Sequence, residues 1–198
     1  MKLVLATQNP KKLKEMNEIL SHLGVEVVSE AELGVRIEAE ETGETFTDNA
    51  RLKATAVMQA TGLPAVADDS GLCVDALNGG PGVYSARFGG EGLDDKGRYT
   101  LLLEMLRGQT DRAAHFHTSI VCAFPNGDEL VCEGECPGTI AFAPMGEGGF
   151  GYDPVFFVPE LRKTFGQLTA EEKASVSHRG KALRAFAVAL DDYLKGNE

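Results

Sequence analysis

Short apolar runs alternate with helical runs along the first half of the chain, and this alternation constrains the fold more than any other feature. Residues 2–7, 25–29 and 63–69 have the composition of β-strands, whereas residues 10–22 and 45–61 have helical apolar spacing. A chain that alternates strands and helices in this way builds a sheet with flanking helices.

The second half follows a different pattern. Residues 115–124 alternate apolar and polar side chains, and a Pro-Asn-Gly-Asp turn at 125–128 separates them from residues 129–136. This spacing predicts an antiparallel hairpin. We therefore predict a single α/β domain over residues 1–198 with a mixed sheet. Further strands are predicted at 72–77 and 155–158, and further helices at 94–107 and 177–195.

Composition excludes several classes of function. The chain is 43% hydrophobic, which is enough for a core, and its net charge of −11 repels polyanions, so we expect no nucleic-acid partner. No apolar run reaches the roughly 18–20 residues that span a bilayer, and the first run is too short for a signal peptide, so we expect no membrane partner. The four cysteines lack paired zinc-site spacing, which favours free thiols in a reducing, cytoplasmic compartment.

The first candidate site follows the first predicted strand. Asn9 is a good helix N-cap and Pro10 suits the first helical position. Two lysines then fall where the helix dipole disfavours cations, unless an anion such as phosphate binds there. The alternative is a solvated start to a surface helix. The segment consists of Thr7, Gln8, Asn9, Pro10, Lys11 and Lys12.

Lys53 is the second candidate, because it interrupts an apolar stripe of the 45–61 helix that also carries Phe46, Ala50, Val57 and Ala60. Lysines are rarely buried unless they are paired, so this side chain is expected to meet an anion. The alternative is a lysine that extends from the edge of the apolar face into solvent.

Carboxylates form the third candidate. Asp68 and Asp69 end an apolar run, and ligands of open α/β sheets collect at the carboxyl ends of strands. Neighbouring strand residues face opposite sides, so only one of the two can point into a given cleft. Oxygen ligands without Cys or His suit Mg²⁺. The alternatives are a solvated loop for the acidic stretch 38–44, which includes Glu40 and Glu41, and a turn for the aspartates.

Two later segments complete the candidates. Residues 146–154 are rich in glycine, which allows close approach to a ligand, and Phe150 and Tyr152 could stack on a flat ring. The alternative is a flexible connection with buried aromatic side chains. His178 and Arg179 place donors at a helix start, where cations are disfavoured unless an acceptor-rich partner lies opposite them. The alternative is a solvent-facing helix start.

His115 and His117 form a His-x-His pair on one strand face. No third ligand is evident in the sequence, so we interpret both as structural.

Taken together, these segments resemble the inosine/xanthosine triphosphate pyrophosphatases, which remove deaminated purine nucleotides. The segments occur in the family order and cover nearly the whole chain. One departure is Gln8, where many relatives have Gly. The matching residues are 6–12, 40–43, 49–53, 67–72, 81–87, 148–154, 172–173 and 177–180.

The resemblance implies hydrolysis of ITP, dITP or XTP between the α and β phosphates, which yields a monophosphate and pyrophosphate. It also implies an elongated mixed sheet with flanking helices, two lobes around a central cleft, and a homodimer. The implied cofactor is Mg²⁺, with Mn²⁺ as a second possibility. A related pyrophosphatase acting on pyrimidine or modified nucleotides, and a non-catalytic nucleotide sensor, remain as alternatives.

Roles within the site follow from the same resemblance. The segment 7–12 and Lys53 hold the triphosphate, Asp69 activates water, and Glu40 or Glu41 joins Asp69 at the metal. Ser70 positions the nucleotide. The base is framed by Phe150, Gly151 and Tyr152, with Asp153, Lys173, His178 and Arg179 along its edge.

Overall fold

A computed structural model describes residues 1–7 and 9–197. The chain divides into two compact units. Unit 1 contains residues 1–69, 118–134 and those from 181 onward, and unit 2 contains residues 70–117 and 135–180.

Strands and helices alternate first and then give way to a hairpin, as the sequence predicts. The hydrogen-bonded strand order is β2-β1-β3-β5-β6-β7-β8, with β4 paired to β3. The strands are β1 (Lys2–Leu5), β2 (Glu26–Ser29), β3 (Ala65–Val74), β4 (Gly80–Pro81), β5 (Ala113–Ala123), β6 (Glu129–Ile140), β7 (Phe156–Val158) and β8 (Lys163–Thr164). The helices are α1 (Pro10–Leu20), α2 (Phe46–Thr61), α3 (Asp95–Met105), α4 (Ala170–Val176) and α5 (His178–Gly196).

Strand directions confirm the mixed α/β prediction. Strand β1 pairs in parallel with β2 and β3, whereas β7 pairs antiparallel with β6 and β8. The parallel part belongs to the βα-rich first half of the chain, where helical connections allow parallel pairing.

Strand β3 and helix α4 differ from the sequence prediction, and the short strands β4 and β8 were not predicted either. Residues 63–69 and 72–77 were expected to be separate strands, but β3 is continuous from Ala65 to Val74. The prediction was wrong because it placed a break at Ser70 and Gly71, whereas both residues continue the strand and Ser70 is exposed there. Helix α4 was not predicted, although a Thr169 capping box with Glu172 marks its start.

Unit 1 has helices on both faces of its strands. Leu3 and Leu5 pack in one cluster with Met16 of α1 and Phe186 of α5, whereas Val4 packs in another cluster with Val57 of α2. Successive strand residues face opposite sides of a sheet, so α1 and α5 cover one face and α2 covers the other.

Unit 2 has an aromatic core. The rings of Phe116 and Phe156 lie 4.7 Å apart edge to face, and Phe116 and Phe165 are stacked with their centroids at 5.6 Å. All three side chains are almost fully buried. Such pairs add about 0.5–1.5 kcal/mol beyond the burial of their area.

Within residues 1–7 and 9–197, none of the helices is both long enough and apolar enough to traverse a bilayer.

Candidate active site

The start of α1 is capped as its sequence predicts. The Asn9 side chain accepts a hydrogen bond from the Lys11 backbone N–H at 3.0 Å, and Thr7 Oγ1 accepts from the Asn9 N–H at 3.2 Å. Pro10 occupies the first helical position. Gln8 lies outside the described residues. The Lys12 N–H donates to the Asn9 carbonyl at 3.1 Å, so the first turn of α1 is already capped, and it carries exposed Lys11 and partly exposed Lys12.

Lys12 faces a carboxylate of the chain itself. Its Nζ donates to Asp68 Oδ2 at 2.7 Å, and the Asp68 side chain is 3% exposed against 31% for Lys12. The ammonium group is thus held at the edge of the unit while part of it remains open to solvent. A bound phosphate would share this lysine with Asp68.

Lys53 lies at the centre of a second cluster. Its Nζ donates to Glu41 Oε1 at 3.0 Å, to Asp69 Oδ1 at 3.1 Å and to the Asp68 backbone carbonyl at 2.9 Å. Its side chain is 19% exposed. The sequence predicted that this lysine meets an anion, and two carboxylates of unit 1 supply that negative charge.

Charge and burial oppose each other in this cluster. Burial works against the Lys53 charge, but Asp69 and Glu41 outweigh it, so the Lys53 pKa is raised and the ammonium form persists. Burial also raises the Asp69 pKa above its usual value, and Lys53 offsets this rise only in part. A carboxylate with a raised pKa is a stronger base than a solvated one.

Asp68 and Asp69 point to opposite faces of the sheet. Asp68 meets Lys12 of α1, and Asp69 meets Lys53 of α2. The prediction that both end a strand was wrong, because β3 continues to Val74. However, the pairing of β1 with β3 ends at the pair of Leu5 and Val66, so both aspartates lie beyond the last residue of β1.

The acidic loop before α2 presents one of its two central glutamates to this cluster. Glu41 is partly buried and contacts Lys53, whereas Glu40 is exposed. Among the described residues, no group of three or more His, Cys, Asp or Glu side chains is arranged to hold a metal ion. Glu41 and Asp69 nevertheless bring two hard oxygen donors to one ammonium group, and that donor type suits Mg²⁺.

In unit 2, the glycine-rich segment presents one aromatic ring. Phe150 is 77% exposed, and Lys173 Nζ lies 4.8 Å from its ring centroid. The Gly151 N–H donates to Asp95 at 2.8 Å. The Asp153 carboxylate accepts from both Lys173 and the Phe150 N–H, which fixes the loop around the exposed ring.

Two predicted base contacts are internal instead. Tyr152 is 5% exposed and its hydroxyl donates to the Ser85 carbonyl at 2.8 Å, so its ring cannot stack on a ligand. Asp153 is 3% exposed and holds Lys173, so it orders this region from within. A glycine-rich stretch has no apolar periodicity, and therefore the sequence did not reveal which aromatic ring is buried.

The remaining predicted residues of unit 2 lie on three elements. Ser70 is exposed on β3, and His178 and Arg179 are partly buried in the first turn of α5. The His178 ring stacks on Phe116 with centroids 4.7 Å apart. His117 Nδ1 lies 3.1 Å from Glu135 Oε1, which is compatible with the structural role expected of that histidine pair.

Asn49 begins the matching segment 49–53, but the sequence assigned it no role. This side chain is fully buried in the first turns of α2 and contacts both the acidic loop and Asp69. A signal was available, because Asn49 lies four residues before Lys53 and therefore on the same helix face.

Comparison with known proteins places the chain in a family. A model described as the Ham1 family matches residues 3–189. This chain belongs to the Ham1 family. The family membership inferred from the sequence motifs is therefore confirmed.

Relatives of this Ham1-family chain match over nearly their whole length. A protein of Exiguobacterium sp. named dITP/XTP pyrophosphatase is 50% identical over 99% of this chain and 100% of its own. A Thermus thermophilus protein of the same name is 53% identical over 97% of this chain and 93% of its own.

Solved structures agree in fold. A HAM1 protein from Coxiella burnetii superposes with a TM-score of 0.93 at 43% identity, covering 97% of this Ham1-family chain and 99% of its own. The Staphylococcus aureus Ham1 protein gives 0.91 at 40% identity, with full coverage of both chains.

Proposed function

We propose that this chain hydrolyses ITP, dITP and XTP between the α and β phosphates, releasing a nucleoside monophosphate and pyrophosphate. The observation that carries this proposal is the match of nearly the entire chain to relatives named dITP/XTP pyrophosphatase at about 50% identity. The chemistry is supported by one cluster in unit 1, in which Lys53 joins Glu41 and Asp69.

Phosphate binding is assigned to the start of α1 and to three lysines, Lys11, Lys12 and Lys53. The partial positive charge of the helix dipole at the start of α1 favours an anion there, although the Lys11 and Lys12 N–H groups already donate to Asn9. Lys11 and Lys12 would add positive charge there. Lys53 would neutralise phosphate charge from the α2 face of the sheet, although two carboxylates already surround it.

The divalent metal is assigned to Glu41 and Asp69, with Mg²⁺ preferred over Mn²⁺. When bound, the metal would neutralise phosphate charge and polarise the scissile bond. Glu40, the other glutamate considered from the sequence, is exposed and contacts neither Lys53 nor Asp69 in the described hydrogen bonds and ion pairs.

Asp69 is assigned to accept the proton of the attacking water. Its pKa is raised by burial, which strengthens it as a base, and its Oδ1 is fixed by Lys53 at 3.1 Å. General-base catalysis of this kind contributes roughly 10²–10⁴-fold.

Base recognition is assigned to unit 2. The exposed Phe150 ring supplies a stacking surface, and Lys173 lies at that ring. His178 and Arg179 would donate to the 6-oxo group of hypoxanthine or xanthine. Adenine carries an amino donor at that position, and a site built for one hydrogen bond can reject its mismatch by roughly 10⁴-fold.

An end-point assay with Mg²⁺ tests the proposal. ITP, dITP, XTP, GTP, ATP, dTTP and UTP are incubated separately, and pyrophosphate and orthophosphate are scored separately. Pyrophosphate from ITP, dITP and XTP, with little from the others, is the expected result. Orthophosphate alone would contradict the assigned bond, turnover of dTTP or UTP would favour a pyrimidine pyrophosphatase, and tight ITP binding without product would favour a sensor.

Assembly and location belong to the same proposal. The resemblance supports a homodimer, which light scattering coupled to size-exclusion chromatography tests through the mass of the particle. The free cysteines support the reducing environment of the cytoplasm.

A further inference from the structure

Asn49 is a fully buried polar side chain beside the cluster of Lys53, Glu41 and Asp69. Buried amides are almost always hydrogen-bonded, because leaving them unsatisfied costs about 1–3 kcal/mol. Where this amide directs its donor and acceptor therefore indicates what it holds in place.

The two ends of the Asn49 amide reach different segments of unit 1. Its Oδ1 accepts a hydrogen bond from the Gly43 N–H at 2.8 Å, and its Nδ2 donates to Asp69 Oδ2 at 3.4 Å. The opposite amide orientation would set an oxygen against a carboxylate and an N–H against an N–H. The contacts are therefore mutually consistent in one orientation only.

Gly43 lies directly against the first turns of α2. A Cβ at this position would lie 2.6 Å from Asp48 Cβ and 2.8 Å from Asn49 Oδ1, distances that real Cβ atoms do not show. The loop that carries Glu41 is thus anchored to the helix two residues after the glutamate. The anchor is the hydrogen bond to Asn49.

Asp69 is held through both oxygens. Its Oδ1 accepts from Lys53 and its Oδ2 faces Asn49, so the plane of the carboxylate is fixed from two sides. Glu41 reaches the same Lys53 from the anchored loop. One side chain, Asn49, therefore contacts the segments that carry both carboxylates.

We propose that Asn49 is a positioning residue that sets the placement of Glu41 relative to Asp69. It touches neither the nucleotide nor the metal, and it acts through the Gly43 anchor and through Asp69. This inference rests on the proposed function, in which the two carboxylates hold the divalent metal. Groups that orient metal ligands typically change metal affinity or activity by about 10–100-fold when they are replaced.

The experiment compares Asn49→Ala with the unaltered chain. The quantities are kcat and KM for ITP at saturating Mg²⁺, and Mn²⁺ affinity without nucleotide from electron paramagnetic resonance. We expect kcat to fall about 10–100-fold and Mn²⁺ affinity to fall by a similar factor. KM should change far less, because the start of α1 and the Phe150 ring remain intact.

Asn17→Ala is the matched control. Asn17 is another partly buried amide that joins a helix to a neighbouring segment, with Nδ2 donating to the Leu13 and Val27 carbonyls and Oδ1 accepting from Val27. It belongs to no assigned site. We expect Asn17→Ala to lower the melting temperature without changing Mn²⁺ affinity.

Two further variants keep the test decisive if Asn49→Ala does not fold. Asn49→Asp retains the acceptor for Gly43 but turns a repelling oxygen toward Asp69, and Gly43→Ala displaces the loop while leaving the amide in place. Both variants should lower kcat, as is expected of Asn49→Ala.

Failure of this inference differs from failure of the proposed function. If the unaltered chain releases no pyrophosphate from ITP, the proposed function is overturned. If the unaltered chain is active and folded Asn49 variants keep kcat and Mn²⁺ affinity within about twofold, the positioning role is overturned. Equal losses in Asn17→Ala would also overturn it, because general stability would then explain them.

Discussion

At the scale of single residues, the two aspartates of β3 have different environments because they face opposite sides of the sheet. Asp68 pairs with Lys12, which is partly exposed, whereas Asp69 shares Lys53 with Glu41. Asp69 therefore combines burial, a raised pKa and a second carboxylate at hydrogen-bonding distance from the same lysine.

Replacing Asp69 by Asn should abolish turnover and leave the protein folded. The amide can still accept from Lys53, but it cannot take a proton from water. We expect pyrophosphate release from ITP to fall by at least about 100-fold, with an unchanged circular dichroism spectrum. Near-normal turnover would show that another group accepts the proton.

Glu40 and Glu41 form a natural matched pair. Glu41→Gln removes a charge at 3.0 Å from Lys53, whereas Glu40→Gln changes an exposed neighbour. The Mg²⁺ concentration that gives half-maximal activity should rise about 10-fold or more for Glu41→Gln and stay constant for Glu40→Gln. The reverse ranking would assign the metal to Glu40.

Tyr152 should ionise at a higher pH than a solvated tyrosine, and its ionisation should destabilise the fold. Burial raises the Tyr152 pKa to about 12. Because this value exceeds that of an unfolded tyrosine, the stability Tyr152 contributes is complete below about pH 10 and is lost as pH rises through about 12. Tyrosinate absorbance measures this directly.

The Tyr152→Phe variant should lose the share of the absorbance change that Tyr152 contributes near pH 12. Tyr84→Phe is the control, since its ring is 58% exposed, and this variant should retain that share. Superimposable titrations of Tyr152→Phe and the unaltered chain would contradict the assignment.

At the scale of elements, helix ends position the site. Thr45 caps α2 by accepting from the Asp48 N–H at 3.1 Å, and Gly62 ends the helix in a left-handed conformation. Both ends follow from the sequence, since the capping pattern and the terminal glycine are local signals. The cap fixes the turn that bears Asn49, one helical turn before Lys53.

Replacing Thr45 by Ala should cost about 1 kcal/mol and lower the melting temperature by about 2–4 °C. Thr61→Ala, at the other end of α2, is the control because its hydroxyl donates to the Val57 carbonyl and accepts from the Leu63 N–H, and so caps no N–H of the first helical turn. Equal decreases in melting temperature for the two variants would show that the Thr45 N-cap does not stabilise α2 more than an ordinary hydroxyl does.

Sequence predicts these elements where the signal is local and fails where it is not. The start of α1 follows from Asn9 and Pro10, and both bounds of α2 follow from Thr45 and Gly62. The continuity of β3 does not, since Asp, Ser and Gly also form turns and only sheet neighbours decide between the two outcomes. The burial of Tyr152 and the contacts of Asn49 likewise depend on residues distant in the chain.

At the scale of the whole molecule, acidic charge is the dominant electrostatic feature. The chain carries 30 acidic against 19 basic residues, for a net charge of −11. Self-repulsion destabilises a compact state of high net charge. Positive charge is instead concentrated at specific points, such as Lys12 and Lys53, where it opposes buried carboxylates.

Raising the salt concentration should therefore stabilise the fold. Between 0.01 M and 0.1 M the Debye length falls from about 30 Å to about 10 Å, which screens long-range repulsion. We expect the melting temperature to rise by a few degrees with both sodium and choline chloride. A decrease would indicate that attractive ion pairs outweigh the repulsion.

Because Asp68 and Asp69 face opposite sides of the sheet, their orientation limits which insertions and deletions the preceding part of β3 can accept. Deleting or inserting one residue earlier in β3 would turn the Asp69 carboxylate toward α1 and the Asp68 carboxylate toward α2, and so exchange the two lysines. Insertions or deletions of two residues would return each aspartate to its original side of the sheet. Tolerated length variation between the start of β3 and these aspartates should therefore come in even steps.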